Sequence, residues 1–569
     1  MSRRAGIAGA ALLIAALSVW AVHDHTREDS LSADEPVHIL AGYFQVFGQN
    51  AIVNIEHPPL MKSLAGLVLA MLPLPPAPAH APLGNRFTDY GHAFLFRGPV
   101  SPDAIAAAAR APFLLVFAIL LLVVFVWGRA RYGNAPALFA VALLAFDPNL
   151  VAHAGVVHTD LGAALMFLAT VLAWEGVRRE PSVARLGLAA VALGLALVTK
   201  FSAVYLLPIL ALQGLFAARW ASRPGREAVR LSARFAVVCV GALFVVLGVY
   251  ALVTAHMDRA EQQAVIREMV EERGAPRLSR GIQQIARVCP PLGHYLGGLA
   301  SVARQNAEGG GVNYLWGRVS VHGFPSYFFV AFLAKSTHAF LLVTVLALSG
   351  ALSDPVLRQD ARLLLLPVAV LFLASIGSSY NIGIRHMLPV YPFLALAGAG
   401  VLARLNEKGR PLLATLGLAL PLVSLVELAG IHPHELSYFN PLVGGPESGR
   451  RILSDSNVDW GLDLKRLARE LARRRVQDPT VVYFGGDDVL FRVGVSDFSA
   501  EPVVRGRLVA ISAFQMAMGP EFYAYHDAPG VAEALKKLRR EVARRGRPAG
   551  RIGYSIDLFE LPPQGVEPR

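Results

Sequence analysis

Two short motifs near the start of the chain carry residues that could do acid–base chemistry. Asp34-Glu35 follows a first apolar span, and Glu56-His57-Pro58-Pro59 follows further along. A carboxylate such as Asp34 can act as a general base toward a hydroxyl group when a dry environment raises its basicity. The two prolines favour an extended or helix-starting backbone, which would hold Glu56 and His57 rigidly before a helix predicted over 60–72. The same prolines are also typical of an ordinary helix start.

Four further charged residues stand at the edges of apolar spans: Asp160, Lys200, Lys335 and Arg385. A charged side chain inside a bilayer costs about 2.5 to 3.5 kcal/mol on insertion scales, so the four together need compensation of roughly 10 kcal/mol. In the topology predicted below, all four map to the outer ends of spans, whereas snorkelling residues would occur at both membrane faces. Cations and carboxylates gathered at one surface suit an anionic lipid head group that loses a leaving group. The alternative for any single cation is an interfacial anchor.

The elements that must position these residues are membrane spans. Of the 569 residues, 54% are hydrophobic and 17% are charged, and the mean hydropathy is +0.47, a composition that excludes an ordinary soluble globule. A spanning helix needs roughly 20 mostly apolar residues. We predict about eleven spans, at residues 6–22, 111–126, 135–146, 161–177, 186–198, 202–216, 235–253, 327–348, 363–376, 388–402 and 412–428. The first resembles a signal peptide, but no clear small-residue cleavage site follows, so we treat it as an uncleaved helix.

The formal charge of +12 reflects arginine clusters in short loops between apolar spans, which indicate topology rather than a nucleic-acid partner. With the N-terminus in the cytoplasm, these basic loops fall on the inner side. The outer side then receives loop 23–110, loop 256–326 and everything after residue 431. We therefore expect an integral protein of the plasma (inner) membrane whose C-terminal part is extracytoplasmic.

The chain divides into two predicted domains. Residues 1–430 form a transmembrane domain, and residues 431–569 form an α/β domain. In this tail we predict a helix over 464–475, strands over 480–484 and 507–513, a helix over 531–545 and a final strand over 551–559. With only two cysteines in the chain, a disulfide framework is not expected.

The order of the motifs resembles the GT-C superfamily of membrane glycosyltransferases, in particular the protein O-mannosyltransferase type (glycosyltransferase family 39), with the aminoarabinose transferase of lipid A as a relative. The resemblance extends over about residues 33–467. The segments that carry it are Asp34-Glu35, 56–62 (EHPPLMK), 158–160 (HTD), 199–202 (TKFS), 332–336 (FLAKS), 382–389 (IGIRHMLP), 437–440 (SYFN) and 455–461 (DSNVDWG). The expected fold is a polytopic α-helical, GT-C-like membrane protein with a C-terminal α/β domain.

The resemblance implies an inverting transfer of a hexose or related sugar from a polyprenyl-phosphate donor to an acceptor hydroxyl or amine at the outer face, as in protein glycosylation. By this analogy Asp34 would be the general base, with Glu35 and Asp160 as further catalytic carboxylates. The implied donor-phosphate ligands are Lys200, Lys335, Arg385 and His386, and the implied supports of the substrate site are Glu56 and His57. The partners would be membrane lipids, the polyprenyl-phosphate-linked sugar, and an acceptor protein, lipid or glycan.

We expect no cofactor and no metal site. Asp455, Asn457, Asp459 and Asp463 have calcium-loop-like spacing, but Trp460 replaces the required glycine and Arg466 the terminal glutamate. A structural role is expected instead, with Asp459-Trp460-Gly461 capping the helix that follows. His432 and His434 have no partner cysteines nearby, so a zinc site is not predicted there.

Two other functional classes fit parts of the pattern. A transporter or flippase of a lipid-linked substrate commonly shows paired repeats with binding residues near the midplane, whereas here the charges cluster at one surface and no repeat is visible. A non-catalytic assembly partner would make Asp34 dispensable. The outer loop 256–326, with a helix predicted over 259–280, is expected to cover the site or move over it, and the tail is expected to recognise the acceptor.

Overall fold

The structure is a computed structural model that describes residues 2–47, 54–75, 85–271 and 276–562. Within these ranges, six helices are long and apolar enough to cross a membrane: Gly6–Glu28, Pro102–Tyr132, Asp160–Arg179, Phe201–Arg219, Pro224–Val253 and Pro411–Ile431. Two bent helix pairs raise the number to eight: Asn134–Ala145 with Pro148–Ala154, and Tyr327–Lys335 with His338–Ser353. These helices indicate an integral membrane protein, but the predicted number of about eleven spans is not confirmed.

Three predicted spans form helices that do not meet the requirements of a full span. The helix Val183–Leu197 has only 15 residues. The first two turns of the helix Pro355–Ser375 contain the charged residues Arg358, Asp360 and Arg362. The last turns of the helix Val390–Glu407 are polar. The core contacts of Val390–Glu407 compensate for its interrupted apolar stretch, since this helix is buried along most of its length.

The span predicted over 327–348 is broken. The helix Tyr327–Lys335 ends at Ser336, the chain bends by 119°, and the helix His338–Ser353 begins anew. Thr337 has an extended backbone, and its hydroxyl accepts a hydrogen bond from the Phe340 amide at 3.3 Å, which caps the second helix. Hydropathy alone could not reveal this break, because the residues on both sides are apolar.

Several helices present an apolar face to the outside of the protein. In the most apolar windows of Pro224–Val253 and of Pro411–Ile431, only 22% of the residues are buried inside the protein. Phe244, Leu412 and Val426 are among the exposed large apolar side chains. Apolar surface on this scale is typical of a lipid-facing belt.

The two predicted outer loops fold largely as helices. The segment 23–110 contains Glu35–Val46, Leu60–Leu69 and Asn85–Phe96. The segment 256–326 contains Arg259–Glu271, Pro276–Val288, Pro290–Glu308 and a hairpin of β1 (Asn313–Leu315) with β2 (Arg318–Ser320). The helix predicted over 259–280 is therefore two helices within the described residues, and the connection at 272–275 lies outside them.

The C-terminal region has α/β structure. Its strands β3 (Thr480–Val482), β4 (Leu508–Ser512), β5 (Arg547–Ile552) and β6 (Ile556–Glu560) form one sheet in the order β3-β4-β6-β5. β3 pairs parallel to β4, and the other pairs are antiparallel. The helices of this region are Leu464–Arg473, Val489–Val493, Ala513–Tyr525 and Pro529–Arg545. The prediction of a single final strand over 551–559 was wrong. A turn that contains Gly553, at φ +52°, divides this segment between β5 and β6.

Two glycines set the packing of the first outer segment. Gly42 in Glu35–Val46 faces Gly66 in Leu60–Leu69, and a Cβ atom at Gly42 would lie 2.1 Å from the Lys62 carbonyl oxygen. A Cβ atom at Gly66 would lie equally close to the Gly42 carbonyl oxygen. The two helices therefore cross with their backbones in contact, as only small residues allow. This crossing brings the start of the helix Glu35–Val46 next to the segment that precedes the helix Leu60–Leu69.

Candidate active site

A cavity of about 630 Å³ opens beside this crossing. Its polar lining comes from widely separated segments, and its apolar lining comes from the Phe201–Tyr205 turn, the helix Pro290–Glu308 and the helix Pro355–Ser375. The predicted site residues on its wall are Asp34, Glu56, His57, Lys200, Arg385 and His386. The helix Pro290–Glu308 belongs to loop 256–326, so this loop contributes to the cavity wall. A cavity of this size and mixed polarity is typical of a small-molecule site.

Asp34 stands directly before the helix Glu35–Val46 and faces the cavity. Its Oδ2 accepts a hydrogen bond from Arg385 Nη1 at 2.9 Å and lies 3.5 Å from His158 Nε2. Burial opposes ionisation of the carboxyl group, but the Arg385 guanidinium and then His158 outweigh it and hold the pKa of Asp34 well below its usual range. Asp34 is therefore ionised, while the raised basicity that a general base needs is not found in this arrangement.

Arg385 is the centre of the charged cluster. It lies in the short turn Ile384–Met387, with its guanidinium carbon 4.3 Å from the centre of the Trp460 ring. Besides Asp34, its Nη1 donates to His158 Nε2 at 2.7 Å and lies 3.8 Å from Asp160 Oδ2. Its Nε has no hydrogen-bond partner within the part of the chain that the structure describes. The guanidinium therefore has a donor to spare.

Asp160 lies behind the cavity wall rather than on it. It begins the helix Asp160–Arg179 and is 1% exposed. Its two carboxylate oxygens contact Lys200 Nζ and His158 Nδ1. Lys200 itself precedes the Phe201–Tyr205 turn and lines the cavity. The structure thus brings Asp34, Asp160, Lys200 and Arg385 together, and Asp160 orients the cationic side chains instead of facing the cavity directly.

The motif Glu56-His57-Pro58-Pro59 leads into the helix Leu60–Leu69, close to the predicted helix start. Lys62 is 2% exposed, and its Nζ donates to the backbone carbonyls of Asn54 and His57, each at 2.8 Å. These bonds fix the turn that presents His57 to the cavity. Glu56 Oε1 accepts a hydrogen bond from Gln305 Nε2 at 3.4 Å across the cavity wall.

His386 follows Arg385 in the same turn and lines the cavity. Its ring stacks on Phe328 with the ring centres 6.0 Å apart. Burial, followed by the positive charge of Lys200, holds the pKa of His386 well below the usual value for histidine. A neutral imidazole can donate one hydrogen bond to a phosphate oxygen but brings no charge.

Glu35 does not reach the cavity. Its carboxylate forms a two-pronged ion pair with Arg110, at 2.7 Å from Nε to Oε1 and 2.6 Å from Nη2 to Oε2. The same oxygens accept the Ser32 amide at 2.8 Å and the Val157 amide at 3.1 Å. The side chain is fully buried, at 0% exposure. Glu35 therefore holds three segments of the chain together. It does not line the cavity, so the structure does not support its predicted catalytic role.

Lys335 likewise lies apart from the cavity. Its Nζ donates to the carbonyl oxygens of Leu436 at 2.6 Å and Asn457 at 2.7 Å, and it lies 4.7 Å from the centre of the Phe439 ring. The side chain is 1% exposed. At the broken helix end it satisfies carbonyl groups of the C-terminal region, so the structure does not bring it to the other predicted phosphate ligands.

The 455–461 motif supports the site in a way that the sequence did not reveal. Asn457 Oδ1 accepts the Ile384 amide at 3.0 Å, and Asn457 Nδ2 donates to Tyr327 and Ser454. A Cβ atom at Gly383 would lie 2.2 Å from Ser456 Oγ, so Gly383 packs tightly against the Ser456 side chain. The motif thereby fixes the turn that carries Arg385. Only its resemblance to the family signalled its importance.

The prediction that Asp459-Trp460-Gly461 caps the following helix was wrong. Asp459 does not cap the helix that follows it, because Asp463 is the N-cap residue of Leu464–Arg473. Asp459 Oδ2 instead accepts the Phe514 amide at 2.9 Å, in the first turn of the helix Ala513–Tyr525. Burial raises its pKa to about 7. Asp463 pairs with Arg466 at 2.8 Å. Asp459 and Asp463 therefore have different partners in this structure.

Two groups on the cavity wall escaped the sequence analysis. Tyr380 donates a hydrogen bond to Gln305 Oε1, and both residues line the end of the cavity near Glu56. His38 also lines the cavity, where its ring lies 4.8 Å from His57 and 5.0 Å from His158, measured between ring centres. Neutral polar residues and single histidines have no distinctive spacing in sequence, so only folding reveals them.

Part of the chain is similar to a known protein family. Residues 103–251 match the family model described as dolichyl-phosphate-mannose-protein mannosyltransferase. The comparison with curated proteins finds no match.

Solved structures align over most of the chain at low identity. ArnT from Cupriavidus metallidurans bound to undecaprenyl phosphate is 14% identical, with 98% of this chain and 99% of that chain covered and a TM-score of 0.36. The apo Archaeoglobus fulgidus oligosaccharyltransferase is 12% identical, with 98% and 75% covered and a TM-score of 0.47. Scores in this range do not establish a common fold. The match of residues 103–251 to the mannosyltransferase family model confirms the resemblance to GT-C membrane glycosyltransferases that the sequence motifs predict.

Proposed function

We propose that this chain is a membrane glycosyltransferase that moves a hexose or related sugar from a polyprenyl-phosphate donor to an acceptor hydroxyl or amine, with inversion at the anomeric carbon. The observation that carries the proposal is an ionised Asp34 paired with Arg385 on the wall of a cavity that Lys200 also lines. The family match over residues 103–251 supports the same donor chemistry.

The reaction needs both kinds of charge. Asp34 accepts the proton of the acceptor hydroxyl as its oxygen bonds to the anomeric carbon, and the bond from that carbon to the phosphate oxygen breaks. The electron pair stays on the phosphate, which changes from a singly charged diester to a more highly charged monoester. Cations that face this developing charge lower the barrier more than they strengthen substrate binding. Arg385 and Lys200 are proposed to fill this role.

Donor binding and base activation are proposed to be coupled. Arg385 lies against Asp34 and keeps the pKa of that carboxyl group low. A donor phosphate that draws the guanidinium toward itself would weaken this pairing and raise the basicity of Asp34. Arg385 can begin this exchange because its Nε is without a partner in the described part of the chain. The base would thus become active only with the donor in place.

The mixed apolar and polar lining of the cavity suits the two parts of a lipid-linked sugar. Apolar side chains, including Phe201, Val204 and Leu371, line one part of the wall. Glu56, Gln305 and other hydrogen-bonding groups line another. Apolar wall accommodates the first isoprene units, whereas paired donors and acceptors discriminate among sugar or acceptor hydroxyls.

The proposed location is the outer face of the plasma membrane, with a cytoplasmic N-terminus and an extracytoplasmic C-terminal region. The arginine-rich loops support this orientation. The C-terminal region is proposed to recognise the acceptor, because it packs beside the site through Trp460 and Asn457. A deletion of the tail would disrupt Arg385, so exposed residues of β5 are the better targets for testing acceptor choice.

The test uses sealed membranes that contain the chain, together with native lipids and proteins as acceptors. Labelled sugar is supplied on polyprenyl phosphate and, in parallel, on a nucleotide. We expect label to enter an acceptor fraction only from the lipid donor and only in membranes with the chain, with inverted anomeric configuration. Transport of the labelled donor without transfer would instead support a flippase, and neither transport nor transfer would support an assembly partner.

A further inference from the structure

Three histidines from separate segments converge on the cavity wall: His38 in the helix Glu35–Val46, His57 before Leu60–Leu69, and His158 before Asp160–Arg179. One ring nitrogen from each lies within 4.8 Å of the other two. We propose that these three imidazoles form a site for a transition-metal dication, Zn²⁺ in particular, with the remaining coordination position open to the cavity. This proposal does not depend on the glycosyltransferase assignment.

The spacing requires only small movements. A zinc–nitrogen bond is about 2.0 to 2.1 Å long, so the nitrogens of a tetrahedral site lie roughly 3.3 Å apart. Ring rotations about two side-chain torsions can close the present separation. Three imidazoles favour zinc, copper, nickel or cobalt and disfavour magnesium and calcium, which prefer oxygen ligands.

The His38 ring is buried and offers a nitrogen that could bind a metal ion. His38 is 1% exposed, and its Nδ1 has no hydrogen-bond partner among the residues that the structure describes. A buried nitrogen without a partner is costly unless it has a ligand to bind.

The third ring has the outer support that metal-binding histidines usually have. His158 Nδ1 faces the Asp160 carboxylate, which orients the ring and leaves Nε2 as the nitrogen available to a metal ion. Nε2 now accepts from Arg385 Nη1 at 2.7 Å, and a metal ion would replace that donor. Arg385 would keep Asp34 as its partner.

The nearby cations do not exclude a dication. Arg385 is paired with Asp34, and Lys200 is paired with Asp160. Each of these two cations therefore has a carboxylate partner before the metal binds. The open position faces a cavity that can admit water or an anionic oxygen, as in zinc sites with three histidine ligands.

The test uses the full chain, purified in nanodiscs without a histidine tag and stripped with a chelator. Co²⁺ is titrated while its visible absorption is recorded, and bound Zn²⁺ is counted by mass spectrometry. We expect one ion per chain with a four-coordinate cobalt spectrum. Affinity should fall by more than about 100-fold in His38→Gln and in His57→Gln, and by about 10- to 100-fold in Asp160→Asn.

His322→Gln is the matched control, because this histidine is exposed on the β1–β2 hairpin side of the chain and lies outside the cluster. It should bind Co²⁺ as the wild type does. His57 is only half-buried, so His57→Gln keeps the test valid if His38→Gln fails to fold, as judged by thermal unfolding without metal. Absence of stoichiometric binding in the wild type, or equal affinity in a folded His57→Gln variant, would overturn the proposal.

Discussion

Arg385 Nη1 is shared between two residues of the site: it lies 2.9 Å from Asp34 Oδ2 and 2.7 Å from His158 Nε2. One guanidinium group therefore holds the candidate base ionised and keeps it weakly basic. Any anion that attracts Arg385 changes the basicity of Asp34 at the same time. This relationship links donor binding to proton transfer in the proposed mechanism.

Replacement of Arg385 tests the phosphate side of this link. Arg385→Gln should lower the rate of sugar transfer by about 10²- to 10³-fold, because a donor that faces developing charge is lost. The effect should appear in steady-state transfer from the polyprenyl-phosphate donor. Arg450→Gln is a suitable control, since Arg450 pairs with Asp557 in the C-terminal region. Equal rates in the wild type and Arg385→Gln would exclude Arg385 as a phosphate ligand.

Lys200 and Lys335 were predicted to act alike, but the structure separates them. Lys200→Met should reduce transfer because Lys200 lines the cavity, and it should also lower the thermal midpoint because the buried Asp160 carboxylate loses a cationic partner. Lys335→Met should destabilise the fold by about 1–3 kcal/mol, because it leaves the carbonyls of Leu436 and Asn457 without their donor. Measuring both the transfer rate and the thermal midpoint of each variant shows whether that lysine acts in catalysis or in stabilising the fold. A stable Lys335→Met variant with lost transfer would return Lys335 to the phosphate site.

Gly42 is expected to be sensitive to a single added methyl group. In Gly42→Ala the new Cβ would meet the Lys62 carbonyl at 2.1 Å, so the two helices must separate. We expect a loss of stability of about 1–3 kcal/mol, measured by thermal unfolding in nanodiscs. Gly248→Ala, in the helix Pro224–Val253, is the control because nothing lies within 4 Å of its added Cβ. A normal thermal midpoint for Gly42→Ala would show that the crossing is looser than described.

His432 gives the junction after the last span a pH-dependent contact. A hydrogen bond with Glu435, followed by the contact with Asp24, raises the pKa of His432 to about 9. Because the folded value lies above the unfolded value of about 6.5, the stabilisation is complete below about pH 6.5 and is lost as the pH rises through about 9. His432→Gln should be less stable than the wild type by at most about 1 kcal/mol near neutral pH, after screening. The difference should vanish at alkaline pH, and a difference that grew with pH would contradict this assignment.

Sequence reasoning identified the charged cluster better than it identified each member. The motif order correctly brought Asp34, Asp160, Lys200 and Arg385 together, because ionisable residues next to apolar spans are rare and cluster for a reason. The motif order could not show that Glu35 and Lys335 lie outside this cluster. Their partners, the Arg110 guanidinium and the Leu436 carbonyl, are 75 and 101 residues away along the chain.

The same limit applies to the fold. Apolar periodicity located most helices, but the break between Lys335 and Thr337 depends on a backbone cap within an apolar stretch. The two-stranded end of the C-terminal sheet depends on a single turn at Gly553. Local geometry of this kind has little effect on hydropathy. It becomes visible only when the packing partners are in place.

The most direct test of the central claim compares Asp34→Asn with the wild type and with Asp478→Asn, a variant of an exposed carboxylate. Each is expressed at matched levels, and transfer of labelled sugar from the polyprenyl-phosphate donor is measured in membranes. We expect Asp34→Asn to lower transfer by about 10²- to 10⁴-fold, the usual contribution of a general base, and Asp478→Asn to transfer as the wild type does. Equal transfer in all three would contradict the role of Asp34 as the base.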